Sequence, residues 1–219
     1  MAVALVTGAN RGIGLELCRQ LRARQDVVIA VCRKSSPDLD ALGVRVEADV
    51  DVTNDASLVA LAGRLSGAPI DLLINNAGIL EPGGLGDLDL TSVVRQFEVN
   101  ALGPLRVTFA MLPLLAAGSK IAIVTSRMGS IADNASGGYY GYRMSKAAVN
   151  AAGVSLARDL RARRIAVALL HPGMVKTDMT GQNGIAPEES VRGLLARIDA
   201  LELQTSGTFW HATGEQLPW

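Results

Sequence analysis

Short apolar runs alternate with longer amphipathic stretches from one end of the chain to the other. The runs Ala2–Val6, Val27–Val31, Val44–Ala48, Ile70–Ile74, Lys120–Val124 and Ile165–Leu170 are rich in Val, Ile, Leu and Ala, with little polar alternation. Strands that read this way are covered on both faces, as in a parallel sheet. Helical spacing occupies the intervals Gly12–Arg24, Asp55–Leu65, Thr91–Ala116 and Tyr140–Arg163. Thr53 and Asn54 precede the second of these, where either suits an N-cap. The alternation implies right-handed crossovers and a doubly wound α/β sheet of about seven strands with helices on both faces. After Leu170 the pattern loosens over Pro172–Pro187, then predicts a helix at Glu188–Leu201 and a last strand near Gly207–Trp210. Residues 1–219 read as one domain, with a short substrate-binding segment near 172–190.

Composition narrows the function classes. Hydrophobic residues make up 49% of the chain, which is enough for a large core. Lys+Arg and Asp+Glu each number 21, so the net charge is zero and nothing points to nucleic acid or a membrane surface. With only Cys18, Cys32, His171 and His211 as soft ligands, no metal site is expected. The first residues lack a basic segment followed by a long apolar run, so a cytoplasmic protein is expected.

In open parallel sheets, ligands bind beyond the carboxyl ends of the strands. The first strand runs into Thr7-Gly8-Ala9-Asn10-Arg11-Gly12-Ile13-Gly14. Glycines there allow backbone to approach a ligand, and the next helix offers its N-terminal amides to a phosphate. The second strand ends Cys32-Arg33-Lys34, with no acid to hold a ribose 2′-hydroxyl. Arg11, Arg33 and Lys34 favour a 2′-phosphate instead, hence NADP(H). Asp51 is placed to reach an adenine amino group or to help cap the next helix. Asn76-Ala77-Gly78 puts small residues where backbone passes a cofactor, and Asn75 is expected to tie neighbouring strands through its amide. Pro172-Gly173 forces a turn, after which Thr177 could bond a carboxamide. His171 before that proline reads as backbone support, not chemistry.

Tyr142 and Lys146 lie at i and i+4 of a predicted helix and so share a face. A lysine ammonium beside the phenol is expected to lower its pKa and give a general acid/base near neutral pH. Tyr140 has Met144 at i+4 and Tyr139 has Arg143, which cannot give up a proton, so both read as site walls. Ser126 follows the fifth strand and could hold a carbonyl oxygen beside Tyr142.

Together these residues resemble the short-chain dehydrogenase/reductase family, along the whole chain and in order. Thr7–Gly14 is similar to its cofactor loop and Asn75-Asn76-Ala77-Gly78 to its Asn-Asn-Ala-Gly motif. Asn100, Ser126, Tyr142 and Lys146 are similar to its catalytic tetrad, and Pro172-Gly173 to the turn after the sixth strand. A closer resemblance, to the C-factor-like and sniffer-like carbonyl reductase branch, rests on Ser126–Ile131, Gly137-Gly138-Tyr139-Tyr140 and Leu217-Pro218-Trp219.

The resemblance implies a Rossmann-type fold and an NADP(H)-dependent oxidoreductase that interconverts a ketone or aldehyde and an alcohol. It also implies a cofactor cleft taking in Gly8, Asn10, Arg11, Gly12, Ile13, Gly14, Arg33, Asp51, Val52, Asn76, Ala77, Gly78, Tyr142, Lys146, Pro172, Gly173, Val175 and Thr177. Tyr142 would give the proton and Ser126 would hold the oxygen. Lys146 would lower the tyrosine pKa and bind ribose hydroxyls, and Asn100 would hold a relay water. Homo-oligomers, dimer or tetramer, would form through the two long helices. One departure is the long interval between Ser126 and Tyr142: either Asp133–Gly138 bulges out as a loop or Ser130 replaces Ser126, and the first is preferred. The competing reading is an NADP(H)-binding sensor or signalling protein with incidental reductase activity.

Overall fold

The computed structural model describes residues 1–219. Seven strands make one sheet: β1 (Val3–Thr7), β2 (Val27–Val31), β3 (Arg45–Glu47), β4 (Ile70–Asn75), β5 (Leu115–Val124), β6 (Ala166–His171) and β7 (Phe209–His211). Their order is β3-β2-β1-β4-β5-β6-β7, and every pair is parallel. The helices are α1 (Gly12–Ala23), α2 (Pro37–Asp40), α3 (Asp55–Arg64), α4 (Leu90–Phe97), α5 (Gly103–Met111), α6 (Tyr140–Asp159) and α7 (Pro187–Asp199).

Period-two geometry explains why the strands read as unbroken apolar runs. Ala4 and Val6 of β1 point to one face, where Leu17 and Leu21 of α1 and Leu194 of α7 cover them. Leu5, between them, points to the other face with Leu61 of α3, Val107 of α5 and Val149 of α6. Each fully buried Leu or Ile contributes about 1.5–3 kcal/mol, so both faces need a helix layer. The strand order reverses between β1 and β4, the switch point at whose carboxyl end open parallel sheets bind their ligands.

The long helix expected over Thr91–Ala116 is instead four pieces. After α4 the backbone widens into a π-helical turn over Glu98–Leu102, resumes as α5, and tightens into a 3₁₀ turn over Leu112–Leu114. Pro104 and Pro113 have no N–H to give to the helix ladder, which accounts for both changes. Leu115 and Ala116 belong to β5. The short α2 was not expected, although its signals are local: Pro37 opens it and the Ser36 hydroxyl accepts from the Leu39 N–H. Of the two residues considered as a cap for α3, Asn54 does it, accepting from Ser57 N–H at 3.1 Å. No helix is long and apolar enough to cross a membrane, and no cluster of His, Cys, Asp and Glu could hold a metal ion.

Candidate active site

The β1–α1 turn is built on backbone contact. A methyl added at Gly14 would stand 2.1 Å from the Gly8 carbonyl oxygen, and one at Gly8 would stand 2.9 Å from Ala77 Cα. Gly8 also has φ +66°, in the left-handed region that side chains disfavour. The N-terminus of α1 has no side-chain cap and no acid in its first turn, whereas α3 and α4 are capped by Asn54 and Asp89. Its amides and dipole are therefore open to an anion.

Asn76, not Asn75, ties the central strands. Its Nδ2 donates to the carbonyls of Thr7 (3.0 Å) and Gly8 (3.3 Å), while Thr7 Oγ1 accepts from the N–H groups of Asn76 and Ala77. Asn75 instead donates to Thr108 Oγ1 of α5, at 3.2 Å. One residue of shift along a strand reverses the face, which sends Asn75 behind the sheet.

A cleft of about 920 Å³ opens at this end of the sheet. Its wall includes Gly8, Asn10, Arg11, Gly12, Ile13, Gly14, Arg33, Asp51, Val52, Asn76, Ala77, Gly78, Tyr142, Lys146, Pro172 and Thr177, all expected from the sequence. Gly173, Val175, Asn100 and Ser126 do not line it. Gly173 turns the chain at φ +83°, and Val175 is buried and bridged to Ile185. Cys32, Ile79, Arg95, Glu98, Val99 and Asp178 line it without having been singled out. Most of these come from loop tips or helix faces whose approach to the cleft is set by tertiary packing. Asp178 was the exception in reach, since it directly follows Thr177; it pairs with Arg11 across the cleft at 3.3 Å. Burial pushes the Asp51 carboxyl up, but hydrogen bonds from Thr53 and the charge of Arg33 outweigh that and hold it below its usual range.

Tyr142 and Lys146 are buried on α6. Lys146 Nζ lies 5.6 Å from the centre of the Tyr142 ring and donates to the Val124 carbonyl at 3.0 Å. The expected lowering of the phenol pKa does not occur. Burial pushes Tyr142 up to about 12, opposed only by hydrogen bonding from Ser126, and the same burial brings Lys146 down to about 8. Desolvation penalises the charged form of both groups, which raises the phenol and lowers the ammonium.

Ser126 lies two residues beyond β5 and caps a 3₁₀ turn over Arg127–Gly129, where its Oγ accepts from Met128 N–H at 3.2 Å. Gly129 in that turn presses on α6: a methyl there would stand 2.7 Å from the Lys146 carbonyl carbon. The rival Ser130 has its Oγ engaged by Asp133 N–H at 3.1 Å, in the loop that bulges before α6. Asn100 lies in the π-helical turn. Its Oδ1 accepts from Ile79 N–H at 2.8 Å, and its Nδ2 donates to Ile79 O (2.8 Å) and Ser145 Oγ (3.0 Å). Ser145 Oγ donates in turn to the Tyr142 carbonyl at 2.8 Å, linking Asn100 to the tyrosine's own backbone. His171 stands edge-on to His211, ring centres 5.0 Å apart, and burial pulls its pKa down to about 3.

The family model for short chain dehydrogenases matches residues 2–187. The chain is 46% identical over 226 residues to the 1-hydroxy-2-glutathionyl-2-methyl-3-butene dehydrogenase of Rhodococcus sp. (strain AD45), covering 100% of both proteins. It is 50% identical over 164 residues to the C-signal of Myxococcus xanthus, covering 73% of this chain and 99% of that protein. Among solved structures, the NADPH-bound carbonyl reductase from chicken fatty liver matches with TM-score 0.91 and 32% identity, over 100% of this chain and 99% of that one. The carbonyl reductase Sniffer of D. melanogaster matches with TM-score 0.91 and 29% identity over 100% of both chains.

Proposed function

The chain belongs to the short-chain dehydrogenase/reductase family and is an oxidoreductase, and from that premise we propose that it interconverts a carbonyl and an alcohol with NADP(H), Tyr142 carrying the proton. The observation behind this reading is that Tyr142 and Lys146 face the same cleft as the open N-terminus of α1 and Arg33, with Ser126 against the phenol.

The cleft fits the cofactor. The uncapped α1 amides suit its pyrophosphate. Arg11, Arg33 and Lys34 suit a 2′-phosphate, and no carboxylate ends β2 to bind a 2′-hydroxyl. Asn76–Gly78 and Pro172–Thr177 border the remaining length. Bound there, the cofactor supplies or accepts the hydride.

The protein's own part is proton handling and positioning. With a pKa near 12, Tyr142 keeps its proton at neutral pH and gives it to the carbonyl oxygen as negative charge develops. Ser126 donates a hydrogen bond to that oxygen. Lys146 is divided between its charged and neutral forms near pH 8. Its charged form stabilises the phenolate left behind, and it would also hold the ribose hydroxyls. The Asn100 side chain is fully occupied by Ile79 and Ser145, so a relay water would hang from its main-chain carbonyl. Pro104, four residues on, has no N–H to occupy that carbonyl. Self-association belongs to the same reading, because Leu90, Val94 and Phe97 leave an apolar stripe exposed on α4. Light scattering decides it.

The test is NADPH oxidation over a panel of aldehydes, aromatic ketones and quinones, with reverse oxidation of a glutathione-conjugated alcohol included. Tyr142→Phe should lower kcat/KM about 10²–10⁴-fold and leave NADPH affinity unchanged. Wild-type activity surviving in that variant would sink the assignment. Tight NADPH binding with no turnover on any substrate would favour the sensor reading.

A further inference from the structure

Between Ser126 and Tyr142 the chain makes a turn that few sequences could hold. Gly137, Gly138 and Tyr139 have φ of +63°, +63° and +51°, three consecutive residues in the left-handed region. A tyrosine there is strained. Neither glycine has any atom within 4 Å of where a Cβ would stand, so the turn needs their backbone freedom and not their small size.

One side chain collects the exposed ends of this turn. Arg143 Nε donates to the carbonyls of Gly138 (3.1 Å) and Gly137 (3.3 Å). Its Nη2 donates to Ser136 Oγ at 2.8 Å, and its Nη1 reaches the Met128 carbonyl at 3.5 Å. Arg143 makes no ion pair. The far side of the turn is fastened to the loop after β4, where Tyr139 N–H donates to the Gly83 carbonyl at 2.7 Å.

Apart from the long Arg143–Met128 contact, the catalytic groups have fastenings of their own. Gly129 packs on the Lys146 backbone, and Gly141 packs so closely on α4 that a methyl would meet Gln96 Nε2 at 2.7 Å. Ser145 and Asn100 fasten the same stretch of α6. Losing Arg143 therefore frees the turn while leaving Ser126, Tyr142 and Lys146 in place.

We propose that Arg143 is a positioning residue that clamps the left-handed turn Gly137-Gly138-Tyr139, which ends three residues before Tyr142, to the turn carrying Ser126, so that it sets substrate affinity and not the chemical step. The substrate part of this inference rests on the reductase reading above; the clamp itself does not.

The test uses Arg143→Met and Arg143→Lys in the full chain. Lysine keeps the charge but cannot reproduce a planar fork on several acceptors. Both variants should show amide exchange over residues 131–140 about tenfold faster, with exchange in β1, β4 and β5 unchanged. KM for the best carbonyl substrate should rise about tenfold, with kcat and the NADPH Kd within about twofold. Unchanged exchange over 131–140 would overturn the clamp. So would parallel losses in kcat and NADPH affinity, which mark general damage. If the wild type turns over no carbonyl, the reductase reading falls, and exchange still judges the clamp.

Discussion

A methyl added at Gly14, on the phosphate side of the cleft, would sit 2.1 Å from the Gly8 carbonyl oxygen, whereas Gly137 and Gly138, in the loop before α6, have open space around them. The first side is closed by main chain against main chain. The second is a long loop gathered by hydrogen bonds from Arg143. Packing of the first kind tolerates no added atom, while a loop held by side chains can be reshaped by changing the side chains. One scaffold can thus keep its nucleotide site and vary its substrate.

The sharpest way to break this contrast is at its tightest point. Gly14→Ala should lower the thermal midpoint by several degrees and weaken NADPH binding about a hundredfold, read by calorimetry and fluorescence titration. If Ala is accommodated without loss, the phosphate side is less rigid than its contacts imply. Next is the choice of cofactor. Arg33→Ser should cut the preference for NADPH over NADH about 10–100-fold in kcat/KM, through NADPH alone.

At the proposed proton donor, acidity replaces packing as the control. Lys146 has a lowered folded pKa of about 8. As pH rises through that value the charge that stabilises the phenolate is lost, so reduction should slow, and a pH–rate profile of single-turnover reduction measures it. Lys146→Arg should move that limb to higher pH. His171 tests stability at the same end of the sheet. Its folded pKa, about 3, lies below the ordinary value of about 6.5. The unfolded chain therefore binds its proton first, and stability should fall as pH drops from about 6.5 toward about 3, by up to a few kcal/mol. His171→Gln should flatten that part of a denaturation-versus-pH curve. The smallest effect is expected at Gly137→Ala, which meets no atom but must hold φ +63°. It should cost about 1 kcal/mol in urea unfolding, and a value as large as that of Gly14→Ala would erase the distinction between the two sides.

What could be read from residue order follows the same division. β2 is found at Val27–Val31 as expected, because a strand covered on both faces announces itself by composition alone. The glycine turn, Tyr142 and Lys146 were legible because spacing along one element fixes which residues meet. Asn75 and Asn76 were confused in role because adjacent strand residues point oppositely, and only the partner elements decide which amide is useful. The break of the long helix was written in Pro104 and Pro113, whose missing N–H groups interrupt the ladder at the widened and the tightened turns, but apolar periodicity alone reads straight through them. The rise of the Tyr142 pKa was hidden because desolvation belongs to the assembled site and not to the pair. Arg95 and Glu98 escaped notice because nothing in their local sequence tells which loop they will face.

The strand order β3-β2-β1-β4-β5-β6-β7 carries a consequence for synthesis. The first three strands to leave the ribosome form one end of the sheet, with β1 left exposing an unpaired edge. From β4 onward every strand is added to the outermost edge of what already exists, in the order in which it is made. No strand has to separate a pair already joined, so the sheet can lengthen at the pace of translation, by accretion at a single growing side.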